Sequence, residues 1–214
     1  MPRTAQVTAS NDQQRLRSCL KRFLVHVDRT HLALTGGVAI ELHLAARGQR
    51  RRREGLADID FVASCPNAVS PTVVRDFLVS HFHVSQPGIP KSLLQLVDPV
   101  AQLRLDVFPD VADSVPHARP MRVAGEPLLV LDAQSLLKHK LKTLAHPPVD
   151  EKHWQDAVAL AALCGVTSPP RPMSFRPDVY LTDVREVCGR CTLSRSVEFP
   201  LAPKEEVFRL LGYV

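Results

Sequence analysis

The chain has 214 residues, with 27 Lys and Arg against 22 Asp and Glu, a formal net charge of +5 and a pI of about 9.1. That length suffices for one domain with an appendage or for two small domains, and the basic balance suits a polyanionic partner such as a nucleoside triphosphate or RNA. No stretch reaches the roughly 18 uninterrupted apolar residues of a membrane span, and the opening MPRTAQVTASNDQQ lacks the apolar segment of a secretory signal, so the expectation is a cytoplasmic protein with no membrane partner.

Five cysteines, Cys19, Cys65, Cys164, Cys188 and Cys191, are odd in number and irregularly spaced, which argues against a secreted disulfide framework. Aromatic residues make up only 5% of the chain, which weighs against a single-strand binder that stacks bases on Phe, Tyr or Trp.

In chain order, Leu16, Leu20, Leu24 and Val27 recur at helical spacing and predict a helix from Asn11 to Asp28, with Asn11 and Gln14 resembling a capping box. Leu32 to Leu34 reads as a short buried strand, Gly36-Gly37 as a turn, and Val38 to Arg47 as a helix that Gly48 ends. The run Arg50, Arg51, Arg52 and Arg53 follows, either a nucleic-acid contact or a solvated loop.

Leu56 to Ala63 alternates as a strand, with Ile59 and Phe61 on one face and Asp58 and Asp60 on the other. Pro66 and Pro71 bracket a loop, Thr72 to His81 reads as a helix, and Leu93 to Val97 and Ala101 to Phe108 read as strands turned at Asp98-Pro99. Pro127 to Leu131 suggests another strand. Asp132 then caps a helix that Pro147-Pro148 must stop near His146, and a last helix runs from Asp150 to Cys164 before Gly165. The tail from Thr167 is proline-rich and regains apolar spacing near Val207, Phe208, Leu210 and Leu211, as an extended wrap ending in a short helix. The expected architecture is α/β (α+β), a mixed sheet flanked by helices, divided into a core over residues 1–131 and a helical C-terminal portion over 132–214.

Two aspartates separated by one residue on a strand point the same way. Asp106, on the face of its strand opposite Leu105 and Val107, can converge with Asp58 and Asp60. Three clustered carboxylates repel unless a cation joins them, and an oxygen-only ligand set points to magnesium rather than zinc. Gly36-Gly37, between a strand and a helix, allows a phosphate to approach backbone amides at a helix N-terminus.

The order glycine turn, helix, Asp-hydrophobic-Asp strand and third strand Asp resembles the DNA polymerase beta-like nucleotidyltransferase superfamily. Within it, the chain is similar to the AbiEii-type toxin group through Leu34-Thr35-Gly36-Gly37-Val38-Ala39, Asp58-Ile59-Asp60-Phe61, Asp106, Leu136 to Leu141 and Lys152-His153-Trp154-Gln155-Asp156. The likeness spans residues 31–164. It implies a nucleotidyltransferase fold and transfer of a nucleoside monophosphate from an NTP to a hydroxyl, here on the tRNA acceptor end, by a toxin paired with an antitoxin protein. Asp58 and Asp60 would bind two Mg2+ ions. Asp106 would share the catalytic one and help activate the acceptor.

Thr35, Gly36, Gly37, Lys140 and Lys152 would contact phosphates, with Asp156 orienting a lysine or the nucleotide, and Arg50 to Arg53 would touch the RNA backbone. Three features depart from the pattern: 20 residues separate Gly37 from Asp58, Gly37 replaces a common serine, and His153 stands where an acid is frequent.

Two other functions fit the same residues: an aminoglycoside-type small-molecule nucleotidyltransferase, which the basic balance disfavours, and a non-catalytic RNA- or protein-binding module, which the intact triad disfavours. Lys152 and Asp156 at i, i+4 also suit a plain surface ion pair. His139, His146 and His153 are expected at the periphery because the proline pair separates them, Lys138 in solvent, and Trp154 in the core. Cys188 and Cys191 have the spacing of a zinc knuckle or a redox pair but lack a second pair of ligands, which leaves an inert turn as the expectation.

Overall fold

The computed structural model describes residues 10–49, 55–56, 58–83, 93–145 and 149–175. The arginine run at 50–53, Cys188, Cys191 and the tail beyond 175 lie outside the described residues.

Seven strands form one mixed sheet: β1 (Leu32–Thr35), β2 (Asp58–Ala63), β3 (Leu78–His83), β4 (Leu93–Asp98), β5 (Leu103–Pro109), β6 (Arg119–Val123) and β7 (Glu126–Val130), in the order β3-β4-β5-β2-β1-β7-β6. β2 and β5 run parallel, as do β1 and β7, and the remaining neighbours are antiparallel. Four helices accompany the sheet among the described residues: α1 (Ser10–Phe23), α2 (Gly36–Ala46), α3 (Ala133–Leu144) and α4 (Glu151–Cys164). The expected mixed sheet flanked by helices is therefore present. Among the described residues no helix is long and apolar enough to cross a membrane.

The α1 stripe of Leu16, Cys19, Leu20 and Phe23 is fully buried. Phe23 meets Phe61 of β2 at 5.0 Å between ring centroids and Phe77 edge-on at 5.8 Å, so α1 covers the sheet face that carries Ile59 and Phe61. All four residues of β1 are buried, as expected for a central strand covered on both faces. α2 packs on β1 and β2, and α3 and α4 pack against each other and against α2.

Several boundaries differ from the sequence reading. α1 stops at Phe23, because the chain turns at His26 and pairs Val27 with Val69 in an isolated bridge. Asn11 lies inside this helix and is no cap. The neighbouring Asp12 carboxylate instead accepts bonds from Arg15 (2.7 Å) and the Leu56 amide (3.0 Å). The helix expected from Thr72 to His81 is absent: Pro71–Arg75 makes one 3-10 turn and β3 follows. Thr72, Val73 and Val74 are β-branched and stiff at χ1, which lowers helix propensity, and Leu78–His83 finds a ladder on β4.

β6 has no counterpart in the sequence reading. It forms a hairpin with β7 through Ala124 and Gly125, both left-handed (φ 49° and 92°) as a tight two-residue turn requires. β6 lies at the sheet edge, the place where Pro120 is tolerated within a strand.

The turn between β4 and β5 is held by Asp98. Its buried carboxylate accepts the Val100 and Ala101 amides (2.9 and 3.0 Å) and pairs with Arg22 of α1. Asp132 caps α3 as expected, accepting the Ser135 amide at 2.7 Å. α4 closes with the Val166 amide bonded to the Ala161 carbonyl at 3.0 Å, placing Gly165 as its terminator.

Because Phe23 joins α1 to both Phe61 and Phe77, Phe23→Ala should lower the unfolding free energy by about 3–5 kcal/mol. Val111→Ala, at an exposed site, should change it by less than about 0.5 kcal/mol. Urea titration followed by circular dichroism measures both.

Candidate active site

Strand register places the acidic residues in rows on one face of the sheet. Thr35 pairs with Asp60, Asp60 with Asp106, and Asp106 with Gln95, so these four residues from β1, β2, β5 and β4 lie side by side. In the adjacent row Asp58 pairs with Arg104. Paired residues in a sheet project to the same side, so a row across four strands converts distant sequence positions into one surface. Carboxylate oxygens of Asp58, Asp60 and Asp106 all lie within 4.8 Å of one another, a grouping that can hold a metal ion.

The backbone of the glycine turn closes this cluster on one side. Gly36 is left-handed at φ +63°, and a Cβ there would lie 1.8 Å from Asp60 Oδ2 and 2.5 Å from its Cγ. Glycine at this position satisfies two demands at once, the backbone conformation and the space that the Asp60 carboxylate fills. α2 begins at Gly36, and the Thr35 hydroxyl makes no cap bond to it. The first-turn amides of a helix that starts this way are suited to an anion.

Asp106 is buried and tightly held. Gln95 Nε2 donates to its Oδ1 at 3.0 Å, and Ser80 Oγ donates to Gln95 Oε1 at 3.1 Å, which fixes the amide. Arg104 lies on the same face as Asp106. One of its terminal nitrogens is 2.8 Å from Asp58 Oδ2 and 3.2 Å from Asp106 Oδ2.

The charges are unevenly balanced. Burial and the neighbouring Asp58 and Asp106 push the Asp60 carboxyl up to about 7, against the fields of Lys140 and Lys152. Burial also raises Asp106, opposed chiefly by Arg104 and the bond from Gln95. A cation among the three carboxylates would offset their mutual repulsion, and hard oxygen donors without sulfur or imidazole suit magnesium.

Lys140 and Lys152 come from α3 and α4. The Lys140 ammonium is 2.9 Å from Asp156 Oδ2 and donates to His153 Nδ1 at 3.1 Å. Burial and Lys140 lower the His153 ring to about 4, so it is neutral at physiological pH and its Nδ1 can accept that bond. The remaining ring proton then sits on Nε2, toward Asp150 Oδ2 at 3.7 Å. Asp156 is buried and pairs with Lys140, which it orients. Lys152 and Lys138 are exposed.

The structure thus brings together Asp58, Asp60, Asp106, Thr35 and Gly36, with Gly37 next in α2, while Lys140, paired with Asp156, and Lys152 act on Asp60 through their charge. His153, expected at the periphery, is a partner of Lys140. Gln95 and Arg104 were missed as site residues. Arg104 was legible as the residue sharing a face with Asp106, whereas Gln95 required the register of β4 on β5. Trp154, expected in the core, is half-buried on the flank of α4, where Arg171 lies over its ring at 5.3 Å and its Nε1 donates to the Pro169 carbonyl at 3.3 Å.

No protein-family model and no curated protein matches the sequence. Among solved structures the chain is similar to an antigenic nucleotidyltransferase-like protein from Paracoccidioides brasiliensis, with 15% identity, a TM-score of 0.44, and coverage of 96% of this chain and 94% of that one. It is also similar to the lincosamide antibiotic adenylyltransferase LnuA with lincomycin bound (13% identity, TM-score 0.43, 73% and 98% coverage). A third likeness is to JHP933 from Helicobacter pylori (14% identity, TM-score 0.43, 72% and 68% coverage). These likenesses are remote; the chemistry of the site follows from its own residues.

Gly36→Ala should abolish divalent-metal binding, measured by isothermal titration calorimetry with Mn2+, because the new Cβ drives Asp60 out of the row. Gly48→Ala, equally left-handed at φ +70° but in open space, should leave binding intact and cost only about 1–2 kcal/mol of stability.

The raised Asp60 carboxyl gives a second expectation. Its folded value of about 7 lies above the ordinary 3.8, so between these values the folded chain binds more protons than the unfolded one, and without metal this group makes stability fall as pH rises through that window. Bound metal offsets the charge. The rise in melting temperature on adding Mg2+ should therefore be larger at about pH 8 than at about pH 5.5, and Asp60→Asn should remove that trend.

Proposed function

We propose that this chain is a magnesium-dependent nucleotidyltransferase that moves a nucleoside monophosphate from an NTP to a hydroxyl acceptor. The observation that carries the reading is the row formed by Thr35, Asp60 and Asp106, which sets the carboxylate cluster directly against the Gly36 turn and the start of α2. A metal-binding cluster beside a helix N-terminus suits a metal triphosphate, because one element takes the cation and the other the phosphate oxygens.

Asp58, Asp60 and Asp106 would hold Mg2+, which when bound supplies charge neutralisation at the reacting phosphate and lowers the acidity barrier of the acceptor hydroxyl. Gln95 keeps Asp106 in one orientation, and Asp156 with neutral His153 keeps Lys140 extended in one. Lys140 and Lys152 provide positive charge on the same side as Asp60, where triphosphate charge accumulates. Positioning by fixed groups carries most of such a reaction, since there is little covalent chemistry for side chains to perform.

Within this reading the chain belongs with the AbiEii-type toxin enzymes, with the tRNA acceptor end as substrate and an antitoxin as protein partner. The support is the shared set of motifs together with the basic balance of +5; the arginines at 50–53 would contact the RNA backbone. Asp58, Asp60 and Asp106 are the catalytic carboxylates, and Thr35, Gly36, Gly37, Lys140, Lys152 and Asp156 make up the nucleotide site.

The test is incubation with each labelled NTP, Mg2+ and total RNA. Wild type should transfer label to RNA, and Asp60→Asn should transfer none. Lys140→Met should slow transfer by about 10²–10³-fold, the scale for loss of one preorganised charge-stabilising donor. Equal labelling by wild type and Asp60→Asn would remove the carboxylate cluster from the chemistry, and labelling of a small hydroxyl compound in place of RNA would change the acceptor.

A further inference from the structure

Arg104 has no place in the chemistry described so far, yet it touches two of the three carboxylates. It lies two residues before Asp106 on β5, on the same sheet face, and pairs in register with Asp58. Its contacts come from one terminal nitrogen, at 2.8 Å from Asp58 Oδ2 and 3.2 Å from Asp106 Oδ2. Its Nε is buried and has no hydrogen-bond partner among the described residues. A structural arginine commonly engages carboxylates through two parallel bonds. This one spends a single nitrogen on both acids and leaves another donor unsatisfied, which is a weak anchorage for a guanidinium that is almost fully enclosed.

The two oxygens it holds are also ones that a metal would need. Asp106 Oδ1 already accepts from Gln95, so Oδ2 is its freer oxygen, and that is the one facing Arg104. Asp58 likewise presents Oδ2.

We propose that Arg104 is an internal counter-cation that occupies the bay between Asp58 and Asp106, holds the two carboxylates together in the metal-free protein, and must be displaced when a divalent ion binds. This inference rests on the metal-binding reading above. Arg104 is a positioning residue here, acting through the carboxylates. An ion that ligates Asp58 Oδ2 and Asp106 Oδ2 takes the positions that the Arg104 guanidinium now holds between them. Entry of the ion therefore exchanges one cation for another, and the affinity measured is a difference between the two.

The experiment is Mn2+ binding, followed by electron paramagnetic resonance at constant alkaline pH, to wild type, Arg104→Met and Arg104→Lys, each checked for folding by circular dichroism. Removing the competing charge should tighten binding in Arg104→Met by about tenfold or more, a scale typical of changes around a metal's ligands. Arg104→Lys, which restores a cation, should return affinity toward wild type. In parallel, titration of wild type with diamagnetic Mg2+ should shift the Arg104 Nε–H resonance as the guanidinium leaves the carboxylates, a readout that survives if Arg104→Met does not fold.

Equal or weaker binding by a folded Arg104→Met, or an Arg104 resonance unmoved at saturating Mg2+, would overturn the inference while leaving the metal site standing. Absence of Mn2+ binding by every form would overturn the metal reading and this inference with it.

Discussion

The contact between the Asp60 carboxylate and the backbone of Gly36 is the constraint around which the rest of the site is arranged. A Cβ at position 36 would overlap Asp60 Oδ2 at 1.8 Å, so the helix can begin at the end of β1 only because that residue has no side chain. Asp60 is in turn fixed by its register with Thr35 on one side and Asp106 on the other. The N-terminal end of α2 and the carboxylate cluster are therefore one construction, and neither can move without the other.

This compression has an electrostatic cost that the surrounding residues distribute. Burial and like charges act against ionisation of Asp60, eased by Lys140 and Lys152, while burial acts against Asp106, eased by Arg104 and Gln95. Lys140 is itself steadied by a buried Asp156, so a positive charge is kept near the cluster without collapsing onto it. The neutral His153 completes the arrangement: as a second cation it would repel Lys140, whereas unprotonated it accepts a bond from it.

Much of this was legible in the sequence, for identifiable reasons. Alternation in Leu56 to Ala63 and Leu103 to Phe108 set the direction of Asp58, Asp60 and Asp106, because side chains on a strand have a period of two whatever the sheet around them. The Asp132 cap is a local signal and was read correctly, whereas Gly36-Gly37, read as a turn before a helix at Val38, are the first two residues of α2. Features that depend on pairing were out of reach: Gln95 joins the site only through the ladder of β4 on β5, and His153 meets Lys140 only through packing of α4 on α3. The mistaken helix over Thr72 to His81 had apolar spacing compatible with either period. Tertiary pairing with β4 decided it in favour of a strand. β6 escaped because Pro120 and two exposed arginines, Arg119 and Arg122, hide an edge strand from any apolar pattern.

The position of Trp154 has a practical consequence. It is the sole tryptophan of the chain, two residues from Lys152, with a guanidinium above its ring and Phe175 beside it at 6.1 Å between centroids. Indole emission is sensitive to nearby charge and solvent, so the protein carries a native optical probe on the helix that also bears Lys152. Any ligand that tilts α4 or draws the overlying arginine away would announce itself as a change of colour or intensity, with no label attached.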